Sequence, residues 1–300
     1  MRIVMTGATA GIGFEAAKRL MAREGTALIV AARAPETAPR PLKDGAELRA
    51  ADLADLASVR RLGEALAAGP PIDALVLNAG LQCVSRRDST DGYELTFAVN
   101  HLAHYLLLRL LLPNLAPAAR VVLTASGTHD PAEGAPLPPP RHARVEYLAH
   151  PERDPAHDKR PYDAGRRAYT SSKLCNVMTA RELARRTAAD RPDLAIASFC
   201  PGFTPGTGLA RSYPWPVGPL FKHLGPLILR RGAGVSTPPL SGGFLATLVT
   251  SPDYAASRGD YYAVRGGQLT HKTPSTLAQD ETAAAALWDD SATLLHLLAD

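Results

Sequence analysis

Thr6-Gly7-Ala8-Thr9-Ala10-Gly11-Ile12-Gly13 lies between two stretches of different hydrophobic period. Before it, Ile3 to Met5 is a continuous apolar run, as in a strand buried on both faces. After it, Gly13 to Arg23 places Ala16, Ala17 and Leu20 on one side of a helix. Glycines at such a junction let the backbone turn tightly and come close to a pyrophosphate, which then sits at the positive end of the helix. The spacing G-x-x-x-G-x-G is not the commoner G-x-G-x-x-G, so position carries the argument: this is the first strand–helix junction of the chain. Gly7, Thr9, Ala10, Gly11, Ile12 and Gly13 are thus candidates for dinucleotide contact. A purely structural turn is the competing reading.

The same alternation continues outward from that turn. Thr26 to Ala32 reads as a second strand ending at Arg33, and Leu48 onward as a short strand leaving through Asp52-Leu53. A helix follows at Ser58 to Ala67, then a strand at Ala74 to Leu77 that runs into Asn78-Ala79-Gly80. Asp91 to Leu112 reads as one long helix and Arg120 to Ala125 as a strand ending at Ser126. Residues 127–167 are proline-rich and aperiodic, a surface insertion. Strand Ala195 to Cys200, helix Leu240 to Ser251, strand Asp260 to Val264 and helix Thr282 to Leu298 complete the pattern. Alternating strands and helices predict an α/β fold, a Rossmann-like doubly wound parallel sheet of about seven strands in three α/β/α layers. Residues 1–300 form a single domain in this reading, and the Pro/Gly- and aromatic-rich segment 203–239 is a candidate substrate lid.

In such a sheet, ligands bind beyond the carboxyl ends of the strands, where Gly7, Arg33, Asp52 and Asn78 all fall. An arginine at the end of the second strand suits an adenosine 2′-phosphate, so Arg33 points to NADP(H). A surface arginine opening the loop is the alternative.

Tyr169-Thr170-Ser171-Ser172-Lys173 supplies the chemistry. On a helix, Tyr169 and Lys173 share a face. A phenol ordinarily loses its proton near pH ~10, and a neighbouring cation brings it closer to working pH. Alone the spacing is common, and Tyr169 packed at a helix start with Lys173 solvated explains it equally. Ser126 at a strand tip can hydrogen-bond a substrate carbonyl or start a turn. Asn100, polar within an apolar helix face, can hold a water or bond locally. His101 and His104 have no evident third metal ligand, so no metal site is predicted.

Taken in order, Thr6 to Gly13, Asp52-Leu53, Asn78-Ala79-Gly80, Asn100, Ser126, Tyr169-x-x-x-Lys173 and Pro201-Gly202 resemble the short-chain dehydrogenase/reductase family over nearly the whole chain. The run Ala168 to Thr179, Pro201 to Leu209 and the ending around Leu287-Trp288 resemble the branch holding retinol dehydrogenases and light-dependent protochlorophyllide reductases. The resemblance implies that Tyr169 is the acid/base, that Lys173 also binds the nicotinamide ribose, that Ser126 positions the carbonyl and that Asn100 holds a relay water. It also implies that Asp52, Leu53, Asn78, Ala79, Gly80, Pro201, Gly202 and Thr204 line NADP(H). Where relatives often place a threonine five residues after the proline, this chain has Gly206 and then Thr207. Light-dependent protochlorophyllide reductases usually show Asn-Ala-Ala where this chain has Asn78-Ala79-Gly80, which weighs against the photoenzyme. A non-catalytic NADPH sensor would be expected to lack Tyr169, Lys173 or Ser126, and all three are present.

Composition excludes other classes. Apolar residues at 46%, charged residues at 21% and a net charge of +4 describe an ordinary globular chain without a basic, aromatic-studded face for nucleic acid. The amino terminus enters a strand directly, and the most apolar run, Leu106 to Leu115, is interrupted by Arg109 and Pro113. No integral membrane segment is expected from it. Three scattered cysteines argue for a reducing, cytoplasmic setting. The partner is a small apolar carbonyl or alcohol, and the oligomeric state is left open.

Overall fold

Strand β1 (Arg2–Thr6) alternates its side chains between two cores. Val4 packs into one, and Ile3 and Met5 into the other. This period-two division continues along the sheet, because both faces are covered. The computed structural model describes residues 1–205 and 234–297. Within them the elements are α1 (Gly11–Met21), β2 (Ala27–Ala32), α2 (Arg40–Gly45), β3 (Glu47–Ala50), α3 (Leu56–Ala67) and β4 (Ile72–Leu77). Then come α4 (Leu95–Phe97), a π-helical segment (Ala98–Leu102), α5 (Ala103–Leu111), β5 (Leu115–Thr124), α6 (Val145–Ala149) and α7 (Pro161–Arg186). The chain closes with β6 (Ala195–Cys200), α8 (Pro238–Thr250), β7 (Arg258–Arg265), β8 (Gln268–Lys272) and α9 (Glu281–Leu294).

The sheet order is β3-β2-β1-β4-β5-β6-β7-β8. Seven strands run parallel, and β8 pairs antiparallel with β7 from Arg265↔Gln268 to Tyr261↔Lys272. The strand order reverses between β1 and β4, and ligand crevices open at such a switch point. Helices α1 and α8 cover one face; α3, α5, α7 and α9 cover the other. Trp288 of α9 is fully buried, and Tyr105 donates its hydroxyl to the Trp288 carbonyl at 2.7 Å.

Three expectations change. The sheet has eight strands, because Gly266 (φ +53°) and Gly267 (φ +79°) make a two-residue hairpin turn that folds β8 back on β7. The long helix starts at Leu95, not Asp91, because Glu94 caps it, its carboxylate accepting from the Phe97 amide at 2.6 Å. The Tyr169 helix starts at Pro161 and so takes in the last seven residues of the segment 127–167 read as an insertion, which puts Tyr169 in its third turn. The 127–160 stretch is otherwise short turns and α6. Leu95–Asn114 is long and apolar enough by composition to cross a membrane, but 83% of its most apolar window is buried in the fold.

Candidate active site

Gly7 (φ +68°) and Gly11 (φ +56°) adopt left-handed backbone that favours glycine. Gly13 is required for closeness: a Cβ there would stand 2.0 Å from the Gly7 carbonyl oxygen and 2.6 Å from Asn78 Nδ2. The turn and the start of α1 are therefore in backbone contact with the tip of β4. Ala10 caps α1 without a side-chain hydrogen bond. Thr9 and Ala10 are exposed, and Gly7, Gly11 and Ile12 are half-buried. A turn that only glycines can fill, beside a helix end with no side-chain cap, is a cradle of the right chemistry for a dinucleotide pyrophosphate.

Asn78 is the hub beneath this turn. Its Nδ2 donates to the Gly7 carbonyl at 3.1 Å, and its Oδ1 accepts from Thr124 Oγ1 at 3.1 Å. The Asn78 and Ala79 amides both donate to Thr6 Oγ1 at 3.0 Å. Thr124, the last residue of β5, uses its carbonyl to accept from Lys173 Nζ at 3.0 Å and from Asn176 Nδ2 at 3.1 Å. Lys173 and the glycine turn are thus joined through two side chains, at one end of the sheet.

Lys173 is buried at 3% exposure, and its Nζ lies 5.8 Å from the centre of the Tyr169 ring. Burial pushes the ammonium down to about 8. A Cβ added to Gly80 would stand 3.4 Å from Nζ and 3.5 Å from Asn100 Oδ1, so the lysine, Gly80 and Asn100 border one space. Asn100 sits in the π-helical segment. Its side chain is spent on structure: Oδ1 accepts from the Leu81 amide at 2.8 Å, and Nδ2 donates to the Leu81 carbonyl at 2.9 Å and to Ser172 Oγ at 3.0 Å.

Ser126 follows β5, and its Oγ accepts from the Thr128 amide at 3.3 Å and the Thr128 hydroxyl at 3.1 Å. Two residues behind it hold that turn. His129 Nδ1 meets the Ser126 carbonyl at 2.6 Å, and Cys200 Sγ accepts from the Gly127 amide at 3.0 Å. Arg33 is exposed directly after β2. Asp52 is exposed after β3, where its Oδ1 accepts from the Ala54 amide at 3.0 Å, and Leu53 is buried. Pro201 and Gly202 follow β6. Gly202 (φ +73°) could not take a Cβ, which would lie 2.9 Å from the Gly234 carbonyl oxygen. Thr204 is buried and donates to the Gly202 carbonyl at 3.1 Å. Gly206, Thr207 and most of the 203–239 lid lie outside the described residues.

The other predicted site residues fall just beyond the carboxyl ends of the strands, at the start of α1, on α7 or, for Asn100, in the π-helical segment. Sequence reasoning missed the braces: Thr124, Asn176, Cys200 and His129, and the hydroxyl of Thr6. Their signal was weak, since a threonine or cysteine at a strand end has no periodicity of its own.

A glycine-turned α/β sheet with a buried lysine–tyrosine pair at its switch-point end defines a class of oxidoreductase, and the chain belongs to the short-chain dehydrogenase/reductase family. The short chain dehydrogenase family profile matches residues 1–134. A Streptomyces sp. (strain C5) protein bearing the name daunorubicin C-13 ketoreductase DnrU is 34% identical over 97% of this chain and 91% of its own length. The chloroplastic protochlorophyllide reductase of Chlamydomonas reinhardtii is 31% identical over 99% of this chain and 78% of its own. A crystal structure of a Mycobacterium paratuberculosis protein superposes with a TM-score of 0.67, at 29% identity, over 99% of this chain and 93% of that one.

Proposed function

We propose that this chain is an NADP(H)-dependent carbonyl reductase or alcohol dehydrogenase acting on an apolar small molecule, with Tyr169 as general acid/base. The observation that carries the reading is the placement of Lys173 Nζ, 5.8 Å from the Tyr169 ring and linked through Thr124 and Asn78 to the glycine turn. NADP(H), when bound, supplies or accepts the hydride. Tyr169 gives its phenolic proton to the carbonyl oxygen, or takes it back from the alcohol. A protonated Lys173 favours the phenolate and holds ribose hydroxyls. Ser126 Oγ orients the substrate oxygen. Gly7, Thr9 to Gly13, Asp52, Leu53, Asn78 to Gly80, Pro201, Gly202 and Thr204 hold the cofactor, and Arg33 takes the 2′-phosphate. We read the chain as one domain, with 203–239 as the lid over the substrate, working in the cytoplasm with Cys83, Cys175 and Cys200 free.

The streptomycete relative's name supports a polycyclic ketone as the first substrate class to try. NADPH oxidation with daunorubicin and a panel of bicyclic, steroid and terpenoid ketones measures it. Tyr169→Phe is expected to keep NADPH binding while turnover falls at least about a hundredfold, the lower end for lost acid/base catalysis. Unchanged turnover removes Tyr169 from the chemistry; no turnover of any ketone by the parent, with NADPH bound, favours the sensor reading. Similarity to protochlorophyllide reductases supports a second reading, photoreduction, which pigment binding with a light-dependent absorbance change would establish.

A further inference from the structure

The helix that carries Asn100 is interrupted where it passes the site. In the π-helical segment the Ala103 amide donates to the Ala98 carbonyl, five residues back. Directly after it, His104 is buried at 1% exposure with both ring nitrogens engaged. Nδ1 lies 3.1 Å from the Asn100 carbonyl oxygen, and Nε2 lies 2.9 Å from Thr6 Oγ1.

Counting donors and acceptors fixes every proton in this group. A hydroxyl has one hydrogen and two acceptor positions. The Asn78 and Ala79 amides can only donate, and together they fill the acceptor positions of Thr6 Oγ1. The Thr6 hydrogen therefore goes to His104 Nε2, which must be bare. The Asn100 carbonyl can only accept, so Nδ1 carries the proton. One neutral tautomer satisfies the set; protonating Nε2 would leave two hydrogens facing each other. Burial, with the Lys173 charge adding to it, holds the imidazole down to about 3, so it keeps that form across the working range.

We propose that His104 is a positioning residue that fixes the cofactor-side strand ends, through Thr6, to the Asn100 carbonyl in the π-helical segment. Its Nε2 decides how the Thr6 hydroxyl points, and so whether the Asn78 and Ala79 amides are held under the glycine turn. Its Nδ1 holds the Asn100 carbonyl in place, on the residue whose side chain borders the space beside Gly80 and Lys173. The functional half rests on the reading of this end of the sheet as an NADP(H) site.

Two substitutions separate the halves. In His104→Asn, Nδ2 takes the place of Nδ1 on the Asn100 carbonyl, but nothing reaches Thr6. In His104→Gln, Oε1 takes the place of Nε2 on Thr6, but the Asn100 carbonyl loses its donor. A lost buried hydrogen-bond partner costs enough to change an equilibrium constant about fivefold or more. Titrated by NADPH fluorescence, His104→Asn is expected to raise the NADPH Kd at least about fivefold. His104→Gln is expected to keep it within about twofold while lowering kcat on whichever panel ketone the parent reduces. Equal Kd values for parent and His104→Asn, or equal losses in both variants, overturn the proposal. A role in stability alone would lower Tm without that split. Nitrogen-15 NMR of histidine-labelled parent protein tests the proton placement without any variant. A His104 resonance pair of the Nδ1-protonated tautomer, unchanged between pH 5 and pH 9, is expected; an Nε2-protonated ring or titration in that range refutes it. If Tyr169→Phe retains turnover, the reaction assignment fails, but the NADPH titrations and the NMR measurement still decide the role of His104.

Discussion

Glu94 offers the sharpest stability test, because its burial and its capping role pull in opposite directions. It is 2% exposed; one carboxylate oxygen accepts from the Phe97 amide at 2.6 Å, and Oε1 has no hydrogen-bond partner among the described residues. Burial raises its pKa from 4.5 to about 7, against the lowering effect of the Phe97 and Thr96 amides. The sign follows from which state holds the proton. Between 4.5 and about 7 the folded chain binds more protons than the unfolded one, so stability falls as pH rises through that window. The linkage cost is about 1 kcal/mol at pH 5 and about 3 kcal/mol at pH 8. Glu94→Gln keeps an oxygen on the Phe97 amide and cannot ionise. The variant should therefore exceed the parent by about 1 kcal/mol at pH 5 and about 3 kcal/mol at pH 8, an advantage that grows by about 2 kcal/mol, or a Tm difference on the order of 5 °C, between the two. Thermal unfolding of cofactor-free protein at the two pH values is the assay. A variant less stable than the parent at pH 8, or an equal difference at both, would show that the carboxylate is not paying for its burial.

Two more outcomes test the cofactor end. Gly13→Ala puts a methyl 2.0 Å from the Gly7 carbonyl oxygen, so the turn must open and the Asn78 Nδ2 bond to Gly7 must lengthen. Overpacking at about 1–3 kcal/mol with a weakened hydrogen bond predicts an NADPH Kd at least tenfold higher, read by fluorescence titration. Arg33→Asp should lower the NADPH/NADH ratio of specificity constants at least tenfold (about 1.4 kcal/mol); an unchanged ratio ends the phosphate assignment.

Much of this was legible in the residues. The glycine turn, the strand ends and the Tyr169–Lys173 spacing depend on local pattern, and local pattern is what a sequence displays. The eighth strand was missed because Gln268 to Lys272 is mostly exposed and polar, so it shows little strand periodicity; Gly266-Gly267 was the available sign. The early start of α7 was missed because Pro161 to Arg167 is polar. Proline in the first turn of a helix is nonetheless favourable, having no amide to leave unpaired. The interruption at Ala98–Leu102 has no local signature at all.

That interruption is where the tertiary structure overrules the helix. Asn100 and His104 are four residues apart, and a regular α-helix would commit the Asn100 carbonyl to the His104 amide. In the π-helical turn the Ala103 amide reaches back five residues to the Ala98 carbonyl, and the His104 ring meets the Asn100 carbonyl at 3.1 Å. The same segment presents the Asn100 side chain to Leu81 and Ser172, locking the loop after β4 against α7. A strand tip, a helix and a loop thus share one polar network in the core, and none of its members can be replaced by an apolar residue without stranding a buried donor or acceptor. Such a network is expensive to build for packing alone, since apolar side chains would fill the same volume without desolvating polar groups. Its position between the glycine turn and Lys173 gives the expense a purpose: the two halves of the site are held in one register by bonds with fixed direction.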